Sequence, residues 1–475
     1  MKDKTAIAAL VAVCAILFAY LSVARHYAFH TGAYDLAMYD QAVWNTSRGH
    51  WFEINLLEDT MPGLTNKLGD HVEPILLPLA MLYRIRSNPD VLLVVQAVAL
   101  AALIGPLFYA ARHLTGSGAT AGVAVALYLA HPATWNALLF DFHPVTLAAA
   151  FLMFALWALI RGRRVACLVC AVLAMACKEQ VGLMVGMLGV YAALVHKPER
   201  RLGSILILAG LAWSVVAFAV VIPAFQPTGA SYYLNRYGRL GSTIGEILLS
   251  PIVKPDVVWS MLANPNRVAY YGDLLLPLGG LSLLGIELIL PALPDIALNT
   301  LSAFAPARTL DAHYAVMIAP FLILAALWGA DRLARWFSRR VARATMLGLA
   351  GIWLAASMAA YHLDRYRTFL PISDRYLHTY AAVPRAATGL RLAGEIPADA
   401  VVSAQFNLVP HVSRRQRTHI FPRVEDADYV FLDMQGVIEP FEDQASYRAA
   451  VDALTQDSAF EVTADQDGFL LLRRK

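Results

Sequence analysis

The sequence predicts an α-helical membrane protein that crosses the bilayer about eleven times and ends in a small α/β domain. The first observation is composition: 58% of the residues are apolar and 15% are charged, whereas soluble domains have roughly 45–50% and about 25%. The second is distribution, because the apolar residues form blocks close to the roughly 20 residues that span a bilayer. The third is a change to a mixed composition after Tyr361.

Continuous apolar blocks provide most of the predicted crossings. They lie at residues 5–24, 90–112, 120–138, 144–160, 165–177, 181–196, 203–223, 273–291, 313–331 and 344–361. Residues 292–308 contain Pro294 and Pro306 and are predicted to be a broken crossing, which is tolerated where protein or a water-filled cavity surrounds it. Residues 72–86 are predicted to form an interfacial or re-entrant helix.

Basic residues between the blocks predict the orientation, because Lys and Arg accumulate in cytoplasmic loops. With the N-terminus inside, alternating crossings place every basic cluster in the cytoplasm. These clusters are Lys2 and Lys4; Arg112; Arg161, Arg163 and Arg164; Lys197, Arg200 and Arg201; and Arg332, Arg335, Arg339, Arg340 and Arg343. The same alternation predicts that loops 25–71 and 224–272 lie outside, together with the C-terminus.

The predicted domains are therefore a membrane domain, residues 1–361, and an extracytoplasmic α/β domain, residues 362–475. In the second domain, residues 400–404, 428–434 and 469–472 are predicted strands, and residues 445–455 are a predicted amphipathic helix. It has no glycine-rich phosphate loop. The chain also has no basic run with interleaved aromatic residues, so we expect no nucleic-acid partner.

The first predicted external loop carries two carboxylates at the edge of the bilayer, where polar groups tend to be functional. Asp35 and Asp40 lie five residues apart, about 140° around a helix, so a regular helix cannot direct both at one substrate. In a helix over 36–48, Asp40, Trp44 and Arg48 would share one face. Asp35 is also well placed to cap that helix, so capping and catalysis both remain open.

Other polar residues fall on the same predicted side. Asp70, His71 and Glu73 lie within four residues and could form part of a metal site, although without a fixed ligand spacing. Asp141 and His143 precede Pro144 at the start of a predicted span, where they are candidates either for function or for capping.

A third group contains candidate phosphate ligands. Lys178 and Glu179 follow a short apolar run, and they could either neutralise each other or bind an anionic headgroup through Lys178. His313 and Tyr314 could simply anchor a span at the interface. They share their predicted side with Arg308, whose planar guanidinium suits phosphate.

Several of these stretches together resemble a known family. They are Tyr34-Asp35-Leu36 through Trp44-Asn45, Asp70-His71 with Pro74, Asp141-Phe142-His143-Pro144, Lys178-Glu179, His313-Tyr314, and Leu408-Val409-Pro410-His411 ahead of Phe421-Pro422. The chain resembles the predicted membrane proteins called domain of unknown function 2079. That family is similar to the C-type (GT-C) glycosyltransferases, whose membrane enzymes take a sugar from a polyprenyl-phosphate carrier.

The resemblance implies a key carboxylate at Asp35, with Tyr39 four residues on, and a second acidic position at Asp141. GT-C enzymes often carry two adjacent acids, whereas Leu36 follows Asp35 here, so a divalent metal cofactor is left open. The candidate catalytic carboxylates are Asp35, Asp40 and Asp141. The candidate donor-phosphate ligands are Lys178, Arg308 and His313. The other candidate site residues are Tyr39, Asp70, His71, His143, Glu179 and Tyr314.

The leading hypothesis is a glycosyltransferase of the bacterial inner membrane, transferring a polyprenyl-phosphate-linked sugar to an envelope acceptor on the outer face. Asp35 would be the general base. One alternative is a transporter or flippase of a lipid-linked or anionic solute, although the chain shows no obvious inverted repeat. The other alternative is a non-catalytic envelope assembly or sensor protein.

Overall fold

The computed structural model describes residues 2–58, 60–337, 342–380 and 384–475. Arg339 and Arg340, two of the predicted basic anchors, lie outside the described residues. The described chain is helical as far as Tyr366, and its five-stranded sheet lies in the C-terminal part. This arrangement agrees with a helical membrane domain followed by a small α/β domain.

Apolar blocks of the sequence form the helices of the N-terminal part. The α-helices are α1 (Lys2–Tyr27), α2 (Met38–Ser47), α3 (Leu76–Tyr83), α4 (Asp90–Ala102), α5 (Ile104–Thr115), α6 (Gly118–Ala130), α7 (Pro132–Leu139), α8 (Pro144–Ile160), α9 (Arg164–Met175), α10 (Val181–Leu194), α11 (Arg200–Val216), α12 (Ile222–Phe225), α13 (Ile244–Val253), α14 (Pro255–Leu262), α15 (Pro265–Leu275), α16 (Leu293–Leu301), α17 (Ala319–Phe337) and α18 (Arg343–Tyr366).

Among the described residues, four helical segments are long and apolar enough to cross a membrane. They are Asp3–Tyr27, Asp90–Thr115, Lys197–Phe225 and Arg343–Tyr366. A bent pair, Pro265–Leu278 with Leu281–Leu288, would make a fifth. Several other predicted crossings are shorter apolar helices of 10–17 residues. The number of crossings, the cytoplasmic N-terminus and the external C-terminus therefore stay predictions.

Two predicted blocks are not single straight helices. Block 120–138 divides at Pro132, which begins α7 because its ring supplies no N–H to continue α6. Block 273–291 bends by 96°. Gly279 and Gly280 lie at the bend with φ of 57° and 71°, a left-handed conformation that glycine adopts without steric cost.

The C-terminal part forms a mixed sheet with the strand order β2-β1-β3-β5-β4. Its elements are α19 (Ala386–Glu395), β1 (Val402–Ala404), α20 (Val409–Val412), β2 (Thr418–Ile420), β3 (Tyr429–Asp433), α21 (Gln444–Gln456), β4 (Phe460–Gln466) and β5 (Phe469–Arg474). Strand β1 pairs in parallel with β2 and β3, and β5 is antiparallel to β3 and β4. The three predicted strands are present, whereas β2 and β4 were not predicted.

This domain packs directly on the first loop of the membrane part. Phe29, Ala33 and Leu56 belong to the same buried apolar cluster as Val402 and Phe431. Burial of apolar surface of this kind is the main favourable term in such contacts. Polar contacts reinforce it, since the Asn55 side chain donates to the Thr418 carbonyl oxygen at 2.8 Å. The first loop is thereby fixed between the helices and the sheet.

Candidate active site

Asp35 lies in a π-helical turn, Ala33–Ala37, that leads directly into α2. Its carboxylate oxygen Oδ1 is 3.0 Å from Nε2 of His143, and its side chain keeps 34% of its surface exposed. The residue at the cap of the turn is Gly32, with no side-chain cap bond. Asp35 therefore does not cap the helix, and its carboxylate is available at the protein surface.

His143 connects Asp35 to the start of α8. Its Nδ1 lies 3.0 Å from the carbonyl oxygen of Asp141, which can only accept a hydrogen bond, and its Nε2 lies 3.0 Å from the Asp35 carboxylate. The ring therefore holds the Asp35 carboxylate in position.

Asp141 supports the turn that carries Asp35. Its Oδ2 accepts from the backbone N–H of Gly32 at 2.7 Å, and its Oδ1 lies 3.2 Å from the Arg25 guanidinium. Neither Asp141 nor His143 makes a side-chain cap bond to α8. The capping interpretation is thus wrong for both residues, and Asp141 ties the Asp35 turn to the start of α8.

Asp40 lies on a different face of the helix from Asp35, as the spacing predicted. It is fully buried and accepts hydrogen bonds from the hydroxyls of Tyr83 and Ser413, each at 2.6 Å. Burial raises the pKa of Asp40 above its usual range. The structure does not bring Asp35 and Asp40 to one substrate position, and Asp40 instead joins α2 to the C-terminal domain.

A buried lysine that the sequence did not predict, Lys67, pairs with two of the candidate site carboxylates. Nζ of Lys67 lies 2.5 Å from Asp70 and 2.9 Å from Glu73, and 4.8 Å from the ring centre of Tyr39. Tyr39 donates its hydroxyl to Glu73 at 2.9 Å, and Tyr233 donates to Asp70 at 2.6 Å. All of the Lys67 side chain is buried.

The charges of this network stabilise each other. Burial alone would raise the pKa of Asp70, but the Lys67 ammonium holds it well below its usual range. The ammonium occupies the position between Asp70 and Glu73 that a metal ion would need. Among the described residues, no three His, Cys, Asp or Glu side chains are grouped to hold a metal. The predicted metal alternative for Asp70, His71 and Glu73 does not fit this geometry.

Glu179 pairs with His71 rather than with its neighbour Lys178. Its Oε1 lies 2.8 Å from Nδ1 of His71, and its Oε2 accepts from the Val72 N–H at 3.1 Å. Burial would raise the pKa of Glu179, but His71 lowers it below the usual range. The mutually neutralised pair is therefore wrong. In the described part of the chain, the half-buried Lys178 ammonium makes no hydrogen bond or ion pair.

His313 joins the Asp35 pair to the cations. Its ring stacks on His143 with the centroids 3.6 Å apart, and it contacts Tyr314 at 4.2 Å. Arg236 reaches this stack through Phe304, whose ring lies against Tyr314, and Lys178 lies within electrostatic range of His313. We call Asp35, His143, His313, Lys178 and Arg236 the site cluster.

Two arginines lie near this region: Arg308, which was predicted to be a phosphate ligand, and Arg236, which was not predicted. Arg308 directs its guanidinium at the backbone carbonyl oxygens of Ser302 and Phe304 in its own loop. Arg236 lies over the rings of Tyr233 and Phe304, 4.4 and 4.1 Å from their centroids. Its position next to the aromatic wall of the cluster could not be read from the sequence, since it lies in a loop without periodicity.

The C-terminal domain also contributes a carboxylate. Partial burial and the charge of Asp35 together raise the pKa of Glu439, so the two groups lie within electrostatic range. Glu439 follows β3 and nothing in its local sequence predicted this approach.

The site cluster thus combines a proton-transfer pair with cations that can stabilise a developing negative charge.

The sequence signature of a family of predicted membrane proteins, DUF2079, matches residues 25–471. The chain belongs to this family. No curated protein sequence matches the chain. Because the match includes both the helical part and the sheet, DUF2079 membership applies to the whole architecture described above.

The fold is also similar to solved structures. ArnT from Cupriavidus metallidurans bound to undecaprenyl phosphate matches with a TM-score of 0.53 and 16% identity, over 98% of each chain. Its apo structure matches with a TM-score of 0.52 and 13% identity, over 99% of this chain and 98% of that one. The oligosaccharyltransferase of Archaeoglobus fulgidus gives 0.40 and 12%, over 90% of this chain and 69% of that one. This DUF2079 protein thus shares the fold of the two ArnT structures.

Proposed function

We propose that this DUF2079 protein transfers a sugar from a lipid-phosphate-linked donor to an acceptor on the outer face of the inner membrane. The observation that carries the proposal is the pairing of Asp35 with His143 beside Lys178, a cation without an ion pair among the described residues. An acid–base pair and an unneutralised cation are what displacement of a phosphate leaving group requires. The ArnT structure of similar fold contains undecaprenyl phosphate, which supports this donor class.

In this mechanism, Asp35 acts as a carboxylate, and the imidazole ring of His143 holds it in position. The acceptor hydroxyl gives its proton to Asp35 as its oxygen attacks the anomeric carbon. The bond from that carbon to the phosphate oxygen breaks with inversion, and the lipid phosphate leaves with the electron pair. Lys178 and Arg236 stabilise its negative charge, which grows as the bond breaks.

The C-terminal domain would take part in choosing the acceptor. It packs on the loop that carries Asp35, and its Glu439 lies within electrostatic range of that carboxylate. An acceptor bound at Asp35 would therefore lie close to this domain. Placing this junction on the outer face follows the distribution of basic residues.

The test is sugar transfer in membranes that contain the full chain, using a panel of radiolabelled polyprenyl-phosphate hexoses and pentoses. Asp35→Asn should abolish the labelled product, because the amide cannot accept the proton. Asp452→Asn, on the exposed face of α21, is the matched control and should retain full activity. Transfer that persists in a correctly inserted Asp35→Asn variant contradicts the proposal. Movement of a lipid-linked sugar across vesicles without any covalent product favours the transporter hypothesis instead.

A further inference from the structure

A cavity of about 400 Å³ lies where the membrane part meets the C-terminal domain. Its walls come from the last turns of α1 and α2, the loop between α3 and α4, and helices α19 and α20. Three arginines line it: Arg48, Arg414 and Arg415. No Asp or Glu is among its described lining residues.

The three arginines of this cavity make no ion pair with a carboxylate in the described part of the chain. Arg415 is buried and donates to the carbonyl oxygens of Pro397 and Ala400, each at 3.0 Å. Arg414 donates to the carbonyl oxygen of Ser87 at 2.7 Å. Burial lowers the pKa of Arg415 and the charge of Arg414 lowers it further, whereas Asp399 acts in the opposite direction. An anion in the cavity would offset the positive charge of these guanidinium groups.

Two further side chains fit an anionic ligand. Arg48 is exposed and lies over the Trp44 ring, 4.5 Å from its centroid. His411 stacks on His26 with the ring centroids 4.3 Å apart. Nε2 of His411 is buried without a hydrogen-bond partner in the described structure, and 9% of this residue is exposed. Several other buried polar atoms of the described chain also lack a partner, so the three arginines, rather than His411, carry the argument for an anion.

An apolar strip borders the cavity. Helix α3 and the residues after it expose Met81, Leu82 and Ile85, with 70%, 39% and 87% of their surfaces accessible. The chain enters the cavity wall two residues later, at Ser87. A ligand that joins a phosphate to a hydrocarbon chain matches both surfaces, whereas a free anion would use only the arginines.

This cavity is separate from the site cluster. The π-helical turn and α2 run from Asp35 to Arg48, which spans about 20 Å at 1.5 Å per residue. Asp40 lies between them in sequence and accepts hydrogen bonds from Tyr83 and Ser413. No residue of the site cluster is among the described lining residues of the arginine cavity, so the two places are distinct.

We propose that the arginine cavity binds the phosphate headgroup of a membrane lipid, whose chain lies along the apolar strip of α3. The test measures the dissociation constant of fluorescent phosphatidic acid on the detergent-purified full chain. Arg48→Gln with Arg414→Gln should weaken binding about tenfold for each arginine lost. Arg391→Gln with Arg473→Gln removes the same charge from exposed ion pairs of the C-terminal domain and should leave binding unchanged.

Three comparisons distinguish the sources of the anion. Diacylglycerol, which lacks the phosphate, should bind weakly and equally to every variant. Inorganic phosphate at millimolar concentration should compete poorly, and Met81→Ser with Ile85→Ser should weaken only lipid binding. Inorganic phosphate that binds as tightly as the lipid overturns the lipid assignment. Measuring the arginine variants in a Lys178→Gln background removes the proposed donor site, so the lipid binding that remains belongs to the arginine cavity and its loss is distinguishable from failure of the proposed transfer reaction.

Unaltered lipid affinity in the Arg48 and Arg414 double variant overturns the proposal. The melting temperature and size-exclusion profile show whether that variant is folded. If the double variant is not folded, Arg48→Gln alone provides the test, because the Arg48 side chain is exposed and contacts the Trp44 ring. The single variant should bind phosphatidic acid about tenfold more weakly than the wild-type chain.

Discussion

Replacing Lys67 by Met is expected to destabilise the protein strongly. The ammonium is fully buried between Asp70 and Glu73, which are 2% and 1% exposed. Removing it leaves two buried carboxylates without their counter-charge, and breaking a buried ion pair from one side costs about 3–5 kcal/mol. The methionine side chain fills most of the volume, so the loss reports the charge rather than a cavity.

The loss of stability in Lys67→Met should depend on pH. In the wild type, Lys67 lowers the pKa of Asp70, so this contribution is present above the unfolded pKa of about 3.9 and is lost as pH falls through the folded pKa. In Lys67→Met, burial without the ammonium raises the pKa of Asp70 above its usual range. Protonation then relieves the penalty, and the difference in stability between the two proteins narrows as pH falls from 7 towards 4.5.

The assay is unfolding in mixed SDS micelles, followed by tryptophan fluorescence at several pH values. The matched control combines Lys67→Met with Asp70→Asn and Glu73→Gln, which removes the stranded charges and should recover most of the lost free energy. A loss below about 1 kcal/mol at pH 7, the size of an exposed pair, would refute the reasoning. So would a loss that does not change with pH.

Three further outcomes are expected. Lys178→Gln should lower kcat/KM for the lipid-phosphate donor by roughly 10- to 100-fold, through the lost phosphate contact; an equal loss in Arg308→Gln, whose guanidinium bonds its own loop, would count against this assignment. His143→Gln should lower kcat by about 10²-fold or more, because it removes the ring that holds Asp35 in position; a wild-type kcat would contradict this role. Ser413→Ala should lower the local stability of the C-terminal domain by about 1–3 kcal/mol, because the buried carboxylate of Asp40 loses a hydrogen-bond donor. Faster cleavage of this domain by protease is the expected readout, and wild-type cleavage rates would contradict the prediction.

The sequence predicted the elements better than their junctions. Apolar length identified the long helices, and the five-residue spacing of Asp35 and Asp40 correctly separated their directions. The bend of block 273–291 was missed because hydropathy does not register left-handed glycines. Capping was wrong for Asp35 because the chain starts α2 through a π-helical turn, which places that residue inside the turn.

The partners of the site residues could not be predicted, since they are distant in sequence. His143 contacts Asp35 from 108 residues away, and Glu179 contacts His71 across the same separation. Lys67 stands in a polar loop where one more lysine carries no signal of burial. The sequence thus indicated which residue types matter on this side of the protein, whereas their pairing depends on the tertiary fold.

The apolar cluster shared by the first loop and the sheet has a consequence for biogenesis. Phe29 and Leu56 are made about 400 residues before Phe431 and Leu471. Since synthesis proceeds at about 5–20 residues per second, the loop waits many seconds for its packing partner. The first loop therefore reaches its final packing only once the sheet has been made, and we expect a chain that stops before the sheet to leave the Asp35 turn unsupported.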